Sequence, residues 1–277
     1  MSYERAAALD PGLERRPHSW LLLIWVAAAF LSTLCGIGGG LFAVPMLHYL
    51  GGLRLQRAVG TSLVLVFVLA GTATIAEAAR PDSAIQLHAA GCLIAGCVFG
   101  TRVGFAVAMR VRTRALKLCF VVVLAIAGTR VLLSPEGASV AHGSFHMTVH
   151  TVAIVTGIGF CGGFLSPLLG IGGGMVVVPM LFLLLPSFGY LEARANSMAM
   201  SVVSSALSAR LHLREGNVHI PSAAWFAASA VVGAVLGVTS VHLQGWAGAA
   251  RIAMGVVLLL VAARFARDVL ARVLSDD

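Results

Sequence analysis

The chain has 277 residues, of which 59% are hydrophobic and only 11% are charged. A soluble globular domain carries roughly 25% charged residues, so most of the surface of this protein does not face water. The net charge of +8 comes without a basic face interleaved with aromatic residues, which argues against a nucleic-acid partner. The Lys and Arg residues lie between apolar runs instead, where they orient a chain in a membrane.

Residues 1–19 form a predicted cytoplasmic segment, and the first apolar run covers residues 20–50. Its start also fits a secretory signal peptide, but part of the run recurs later as half of a repeat, so we interpret it as mature protein. As one helix the run would extend roughly 46 Å, against a hydrocarbon core of about 30 Å. The consecutive glycines Gly38–Gly40 and the following Pro45 interrupt it. We therefore predict two shorter helices joined at the glycines.

This glycine-rich motif occurs twice, because GIGGGLFAVPML at 36–47 returns as GIGGGMVVVPML at 170–181. Further on, Arg57-Ala58 matches Arg194-Ala195 once three extra residues are allowed in the second copy. The chain is thus predicted to contain two copies of one membrane unit. The predicted parts after the N-terminal segment are repeat 1 at 20–133, a connecting loop at 134–147, repeat 2 at 148–270 and a cytoplasmic tail at 271–277.

Each copy continues with three ordinary apolar runs of about the 20 residues that a transmembrane helix needs. These predicted spans cover residues 58–79, 84–109 and 115–133 in repeat 1, and 195–213, 218–241 and 250–270 in repeat 2. The predicted fold is an all-α integral membrane protein of two homologous halves, each a glycine-broken helical hairpin plus three transmembrane helices.

The path of the glycine-broken segments decides the topology. If residues 20–50 and 148–189 enter the membrane and return as hairpins, most Lys and Arg lie on the cytoplasmic side, together with both termini. If each segment crosses once, these charges divide almost evenly. Hairpins give an odd number of crossings per half and hence an inverted repeat, whereas four crossings per half give parallel repeats. We predict the inverted arrangement, in a bacterial inner membrane. The alternative rests on the length of segment 148–189, which could hold two full spans.

The two glycine motifs are the strongest candidates for a binding site. A helix break within lipid must face protein or a water-filled cavity, because an unsatisfied backbone group costs several kcal/mol there. Helices starting at Leu41 and Met175 would present free N–H groups and a positive dipole end to an anion. Close helix packing is the alternative role of these glycines. The predicted main-chain donors are Gly38, Gly39, Gly40, Gly172, Gly173 and Gly174.

Polar side chains follow each motif at the start of the next span. They are Thr61 and Ser62 in repeat 1, and Asn196 and Ser197, with Ser201 one turn further on, in repeat 2. Hydroxyl and amide donors can orient an anion while the site stays neutral. We predict Thr61, Ser62, Asn196 and Ser197 as substrate-binding residues, and interhelical hydrogen bonding is their alternative role.

Charged side chains within spans are costly and usually functional, and Glu77 and Arg102 are the candidates. Both lie near span ends, where they can also reach the interface, and Glu77 is the candidate for carrying a coupling proton. The cysteines form no CxxC pair and no Cys/His zinc spacing, so we expect no metal and no cofactor. The sequence also lacks a P-loop, HExxH and GxSxG, so we expect no enzyme and no built-in ATPase.

At its two glycine motifs the chain resembles the sulfite exporter TauE/SafE family of membrane permeases. The stretch from Arg57 to Leu63 is similar to the family's A-x-x-T-S-L pattern, while Ala195-Asn196-Ser197 departs from it in repeat 2. The resemblance covers nearly the whole chain and implies transport of sulfur oxyanions or small organosulfonates, such as sulfite or sulfoacetate. We expect a secondary transporter that works by alternating access. An anion or small-solute channel is the alternative, followed by a membrane enzyme or cofactor carrier.

Overall fold

The computed structural model describes residues 19–108, 148–185, 188–243 and 246–273, together with scattered residues between 121 and 133. Outside these described residues lie 1–18 of the predicted N-terminal segment, the connecting loop, the end of the tail and most of the predicted span 115–133. Long helices make up nearly all of the described chain, which confirms the all-α fold.

Repeat 1 contains α1 Ser19–Cys35, α2 Gly40–Pro45 with a π-helical turn Met46–Leu50, α3 Leu55–Ala78 and α4 Leu87–Ala108. Repeat 2 contains α5 Val149–Leu169, α6 Gly174–Leu184, α7 Tyr190–Arg214, α8 Ile220–Val241 and α9 Trp246–Val273. The glycine motifs form the breaks between α1 and α2 and between α5 and α6, as predicted. Both short helices begin one residue before the expected Leu41 and Met175.

The breaks depend on the conformational freedom of glycine. In each motif three residues have φ between 71° and 85°, a region that side chains with a Cβ disfavour. They are Gly36, Gly38 and Gly39 in repeat 1 and Gly170, Gly172 and Gly173 in repeat 2. Behind the first break, Pro45 lies inside α2 and supplies no N–H, and a π-helical turn follows it directly.

Four helices of the described chain are long and apolar enough to cross a membrane, namely α3, α4, α5 and α8. Three of them correspond to predicted spans within a few residues. The fourth, α5, was expected to be one arm of a hairpin, but its 21 residues extend about 31 Å, the full thickness of a hydrocarbon core. The predicted span 195–213 forms α7, a helix of 25 residues whose serines lie on its buried face.

Helices of each half pack mainly against helices of the other half. The most extensive contact in the described structure joins α4 of repeat 1 to α5 of repeat 2, and the next joins α8 of repeat 2 to α1 of repeat 1. At the centre α3 packs against α7, and each of these is also covered by a helix of the other half. This reciprocal pattern of contacts is the one expected of two equivalent units.

Glycine stripes make the exchanged contacts close. A Cβ added at Gly96 or Gly100 on α4 would overlap the backbone of α5, and one at Gly233 on α8 would strike the side chain of Ala29 on α1. In a membrane, helices associate largely through such close packing, since lipid tails are as apolar as the helix surfaces. Glycines at a spacing of four residues therefore serve the interface between the halves.

The inverted orientation of the two halves stays a prediction, and two exposed loop residues allow a test. In an inverted repeat the loop after α3 and the loop after α7 lie on opposite sides of the membrane, whereas in parallel repeats they share one side. We expect a membrane-impermeant maleimide to label Ser83→Cys, but not Glu215→Cys, in intact cells expressing a cysteine-free background. Labelling of both after permeabilisation is the control, and equal labelling in intact cells would contradict the inverted arrangement.

Candidate functional site

The two glycine motifs meet at a buried junction, which we call the glycine junction and define as Gly36–Gly40 and Gly170–Gly174. A Cβ at Gly40 would overlap the carbonyl oxygen of Gly170, and a Cβ at Gly174 would lie 2.7 Å from the carbonyl oxygen of Gly36. The contact is thus reciprocal, because the start of each short helix touches the first glycine of the opposite motif. All ten residues of the junction are buried.

Two of the four predicted polar side chains lie on this junction. The Oγ of Ser62 on α3 donates to the carbonyl oxygen of Gly170 at 2.9 Å. The Oγ of Ser197 on α7 is placed to donate to the carbonyl oxygens of Gly36 and Gly174, at 3.2 and 3.3 Å. Each serine therefore links its own helix to the first glycine of the motif in the other half.

The other two predicted side chains are buried but bind loop segments. The Oγ1 of Thr61 accepts a hydrogen bond from the backbone N–H of His219 at 2.9 Å. The side-chain oxygen of Asn196 accepts from the N–H of Gln86 at 3.1 Å, and its amide donates to the carbonyl oxygen of Glu192 at 2.7 Å. Their role as substrate ligands stays a prediction, and these contacts favour the alternative of interhelical hydrogen bonding.

The junction reveals which residues of the two halves are equivalent in space. Val66 of α3 and Ser201 of α7 both lie within 4 Å of a Cβ added at Gly38 or at Gly172. Ser62 and Ser197 each precede this pair by four residues, so they are equivalent as well. Arg194 takes the place of Val59, since these two approach Gly36 and Gly170 respectively. The sequence match of Arg57 with Arg194 is therefore not the spatial one.

Ser201 lies close to both motifs, although the sequence analysis did not include it among the predicted substrate-binding residues. It is fully buried, and its Oγ has no hydrogen-bond partner among the described residues. The same oxygen lies 3.0 Å from a Cβ added at Gly174 and 3.7 Å from one added at Gly38. Its spacing of four residues from Ser197 on one helix face was the signal that could have included it.

Charged side chains form a second buried group beside the junction, which we call the ion cluster and define as Glu77, Arg194 and His242. Their side chains are 2%, 1% and 7% exposed. The guanidinium of Arg194 donates to Oε2 of Glu77, and the Nε2 of His242 lies 3.0 Å from Oε1. The N–H of Ala84 also donates to Oε1, at 3.3 Å. Sequence analysis singled out Glu77 but neither of its partners, which lie more than a hundred residues away.

The loop after α3 leads from the ion cluster to the surface. Asp82 is 64% exposed, and its carboxylate lies 3.8 Å from the Nδ1 of His242. A hydrogen bond from Arg80 lowers the pKa of Asp82, which keeps this carboxylate ionised. Arg102, the other charged residue predicted within a span, is exposed and takes no part in this cluster.

The long apolar helices of the described chain are those of a multi-pass α-helical membrane protein. The chain belongs to the sulfite exporter TauE/SafE family, whose sequence pattern matches residues 3–131 and 155–274. The resemblance seen at the glycine motifs is thereby confirmed.

Similar proteins carry the same general description. The chain is 25% identical to the probable membrane transporter protein YunE of Bacillus subtilis over 76% of its length and 82% of that relative. It is 32% identical to a probable membrane transporter protein of Xylella fastidiosa over 55% of its length and 58% of that relative. No solved structure matches the chain.

Proposed function

We propose that the protein is a secondary transporter for a small sulfur-containing anion, such as sulfite or an organosulfonate, with the glycine junction as its binding site. The observation that carries the proposal is the meeting of two helix breaks, one from each half, with hydroxyl groups between them. The Lys and Arg distribution supports a place in the inner membrane with both termini cytoplasmic. The family's name supports the substrate class.

Main-chain donors at the junction support an anionic substrate. Within the described structure no protein acceptor takes the N–H groups of Gly38–Leu41 or of Gly172–Met175. The junction carbonyls of Gly36, Gly170 and Gly174 accept serine hydroxyls instead. Buried N–H groups without a partner are costly, and an oxyanion satisfies several of them at once. The orphan hydroxyl of Ser201 adds a side-chain donor to this set.

The contact between the motifs supports alternating access. Because the backbone at Gly40 touches that at Gly170, an anion between the motifs requires the two short helices to move apart. The exchanged packing of α1 with α8 and of α4 with α5 provides two helix groups that can rock against each other around this point. A channel, the alternative function, requires a continuous pore, and a junction closed by direct backbone contact favours the transporter.

Transport by purified protein in liposomes tests the proposal. We expect saturable uptake of labelled sulfite or of a small sulfonate, and competition between them. Uptake of none of these anions would contradict the proposed substrate class. Uptake that never saturates, with single-channel currents across a planar bilayer, would establish the channel instead.

Ser201→Val separates a binding role from a structural one. The hydroxyl has no partner to lose among the described residues, and valine already occupies the equivalent place at Val66, so we expect unchanged thermal stability. A hydrogen bond to a charged group contributes about 1.5–3 kcal/mol, so apparent affinity for the anion should fall roughly tenfold or more. The matched control is Thr239→Val on the exposed face of α8. Wild-type affinity in Ser201→Val would remove this residue from the site.

A further inference from the structure

The ion cluster is joined directly to the glycine junction. A Cβ added at Gly36 would lie 2.9 Å from the Cγ of Arg194, so the arginine stem packs on the first motif. Its guanidinium then reaches Glu77 and, at 3.4 Å, the carbonyl oxygen of Thr33 at the end of α1. The positive charge of Arg194, whose stem packs against the first motif, is therefore paired with a carboxylate.

A buried ion pair has no evident structural purpose at this position. Such pairs are often no more stable than apolar residues of similar volume, because both charges lose their hydration. The symmetry-related place in repeat 1 is filled by Val59, so the packing of the junction does not require an arginine. The Nε of Arg194 is buried and has no partner in the described part of the chain. The guanidinium thus retains donor capacity that Glu77 and Thr33 do not use.

We propose that Arg194 binds the transported anion and that Glu77 is its exchangeable counter-ion, which takes up a proton when the anion replaces it. The inference rests on the proposed function and adds to it a positively charged ligand, a singly charged substrate and proton coupling. When Glu77 is ionised, Arg194 and Glu77 cancel each other. When Glu77 is protonated, the charge of Arg194 is cancelled by one bound monoanion. Exchange of one state for the other leaves the net charge of the buried site unchanged, which avoids the large cost of an uncompensated buried charge.

The surroundings of Glu77 provide a route for the proton. Arg194 faces the carboxylate from α7, and His242 faces it from the end of α8, with Nε2 at 3.0 and 3.1 Å from the two oxygens. The other ring nitrogen of His242 points to the exposed Asp82, which is itself paired with Arg80. An imidazole between a surface carboxylate and a buried one can accept a proton on one nitrogen and release one from the other. The loaded transporter then carries one proton on Glu77 Oε and one monoanion on Arg194.

The first arm of the experiment uses the wild-type protein in liposomes and labelled ethanesulfonate, a monoanion without a titratable proton. With the membrane potential clamped at zero, a gradient of one pH unit, acid outside, should drive about tenfold accumulation, as expected for one proton per anion. Exchange of labelled for unlabelled ethanesulfonate at equal concentrations should proceed without a gradient. Exchange without proton-driven accumulation would overturn the inference and leave the proposed function standing. Absence of exchange and of accumulation for sulfite and for every sulfonate would contradict the proposed function itself.

The second arm uses Glu77→Gln, which mimics the protonated carboxyl group. This variant should retain exchange and lose the accumulation, whereas Arg194→Gln should lose both. Glu215→Gln, an exposed carboxyl at the end of α7, is the matched control and should behave as wild type. Proton-driven accumulation by Glu77→Gln would overturn the inference. If Glu77→Gln does not fold, the wild-type arm still overturns the inference where exchange proceeds without proton-driven accumulation.

Discussion

Gly40→Val is expected to abolish transport. The added Cβ would overlap the carbonyl oxygen of Gly170 and lie 2.5 Å from the Cα of Ile171, and both are backbone atoms that cannot rotate away. Gly40 does not have a positive φ, so the effect is a steric one at the junction and not a local strain of the chain. Overpacking of this kind costs about 1–3 kcal/mol or more, which reduces the population of the closed junction roughly 5- to 150-fold.

A matched glycine makes this prediction specific. Gly71 lies in the middle of α3, and a Cβ added there meets nothing within 4 Å. Gly71→Val should therefore transport within about a factor of two of wild type, since valine lowers helix propensity no more than glycine does. Uptake measured in liposomes, at protein amounts equalised by gel filtration, compares the two variants. Wild-type transport by Gly40→Val would show that the motifs need not touch during the cycle.

The ion cluster gives the second large effect, this time on stability. Glu77→Met leaves the guanidinium of Arg194 buried without its carboxylate, and removing one partner of a buried pair costs about 3–5 kcal/mol. The double variant Glu77→Met/Arg194→Met removes both charges and replaces them by apolar side chains. We expect the double variant to unfold at a higher temperature than Glu77→Met alone, and close to the wild type.

Thermal unfolding in detergent, followed by the fluorescence of buried tryptophans such as Trp25, measures this comparison. Glu215→Met is the control, because its side chain is exposed and should leave the unfolding temperature unchanged. Additive destabilisation in the double variant would contradict a direct pairing of Glu77 with Arg194. The stability result is independent of transport, so it tests the cluster even where no substrate is available.

Local features of the sequence were sufficient to predict the helix breaks. Three consecutive glycines followed by proline determine backbone geometry within a few residues, whatever surrounds them. The repetition of the motif predicted two equivalent breaks, and the exclusion of bare backbone from lipid predicted that both would be buried. The glycine junction follows from these two arguments together, and the structure brings Gly36–Gly40 and Gly170–Gly174 into contact.

Features that depend on helix register could not be predicted from the sequence. A shift of two residues in the alignment of the repeats is invisible when Arg57 and Arg194 offer an apparent match, yet it exchanges the helix face on which a residue lies. For the same reason Ser201 and the pairing of Arg194 with Glu77 emerge only once α3 and α7 are packed together. The span predicted at 195–213 forms α7 in spite of its polarity, because its serines are buried in the protein.

The crossing of α4 and α8 into the opposite halves bears on how such a protein arose. A lone copy of the repeat would expose to lipid the glycine face of its fourth helix. It would also expose the unpaired backbone N–H groups at its helix break, which is costly in lipid. The ancestral gene product, before duplication, could thus have been stable only as a homodimer. Fusion of two copies into one chain makes such a dimer obligatory and lets each copy diverge. One copy could then acquire an arginine where its twin keeps a valine.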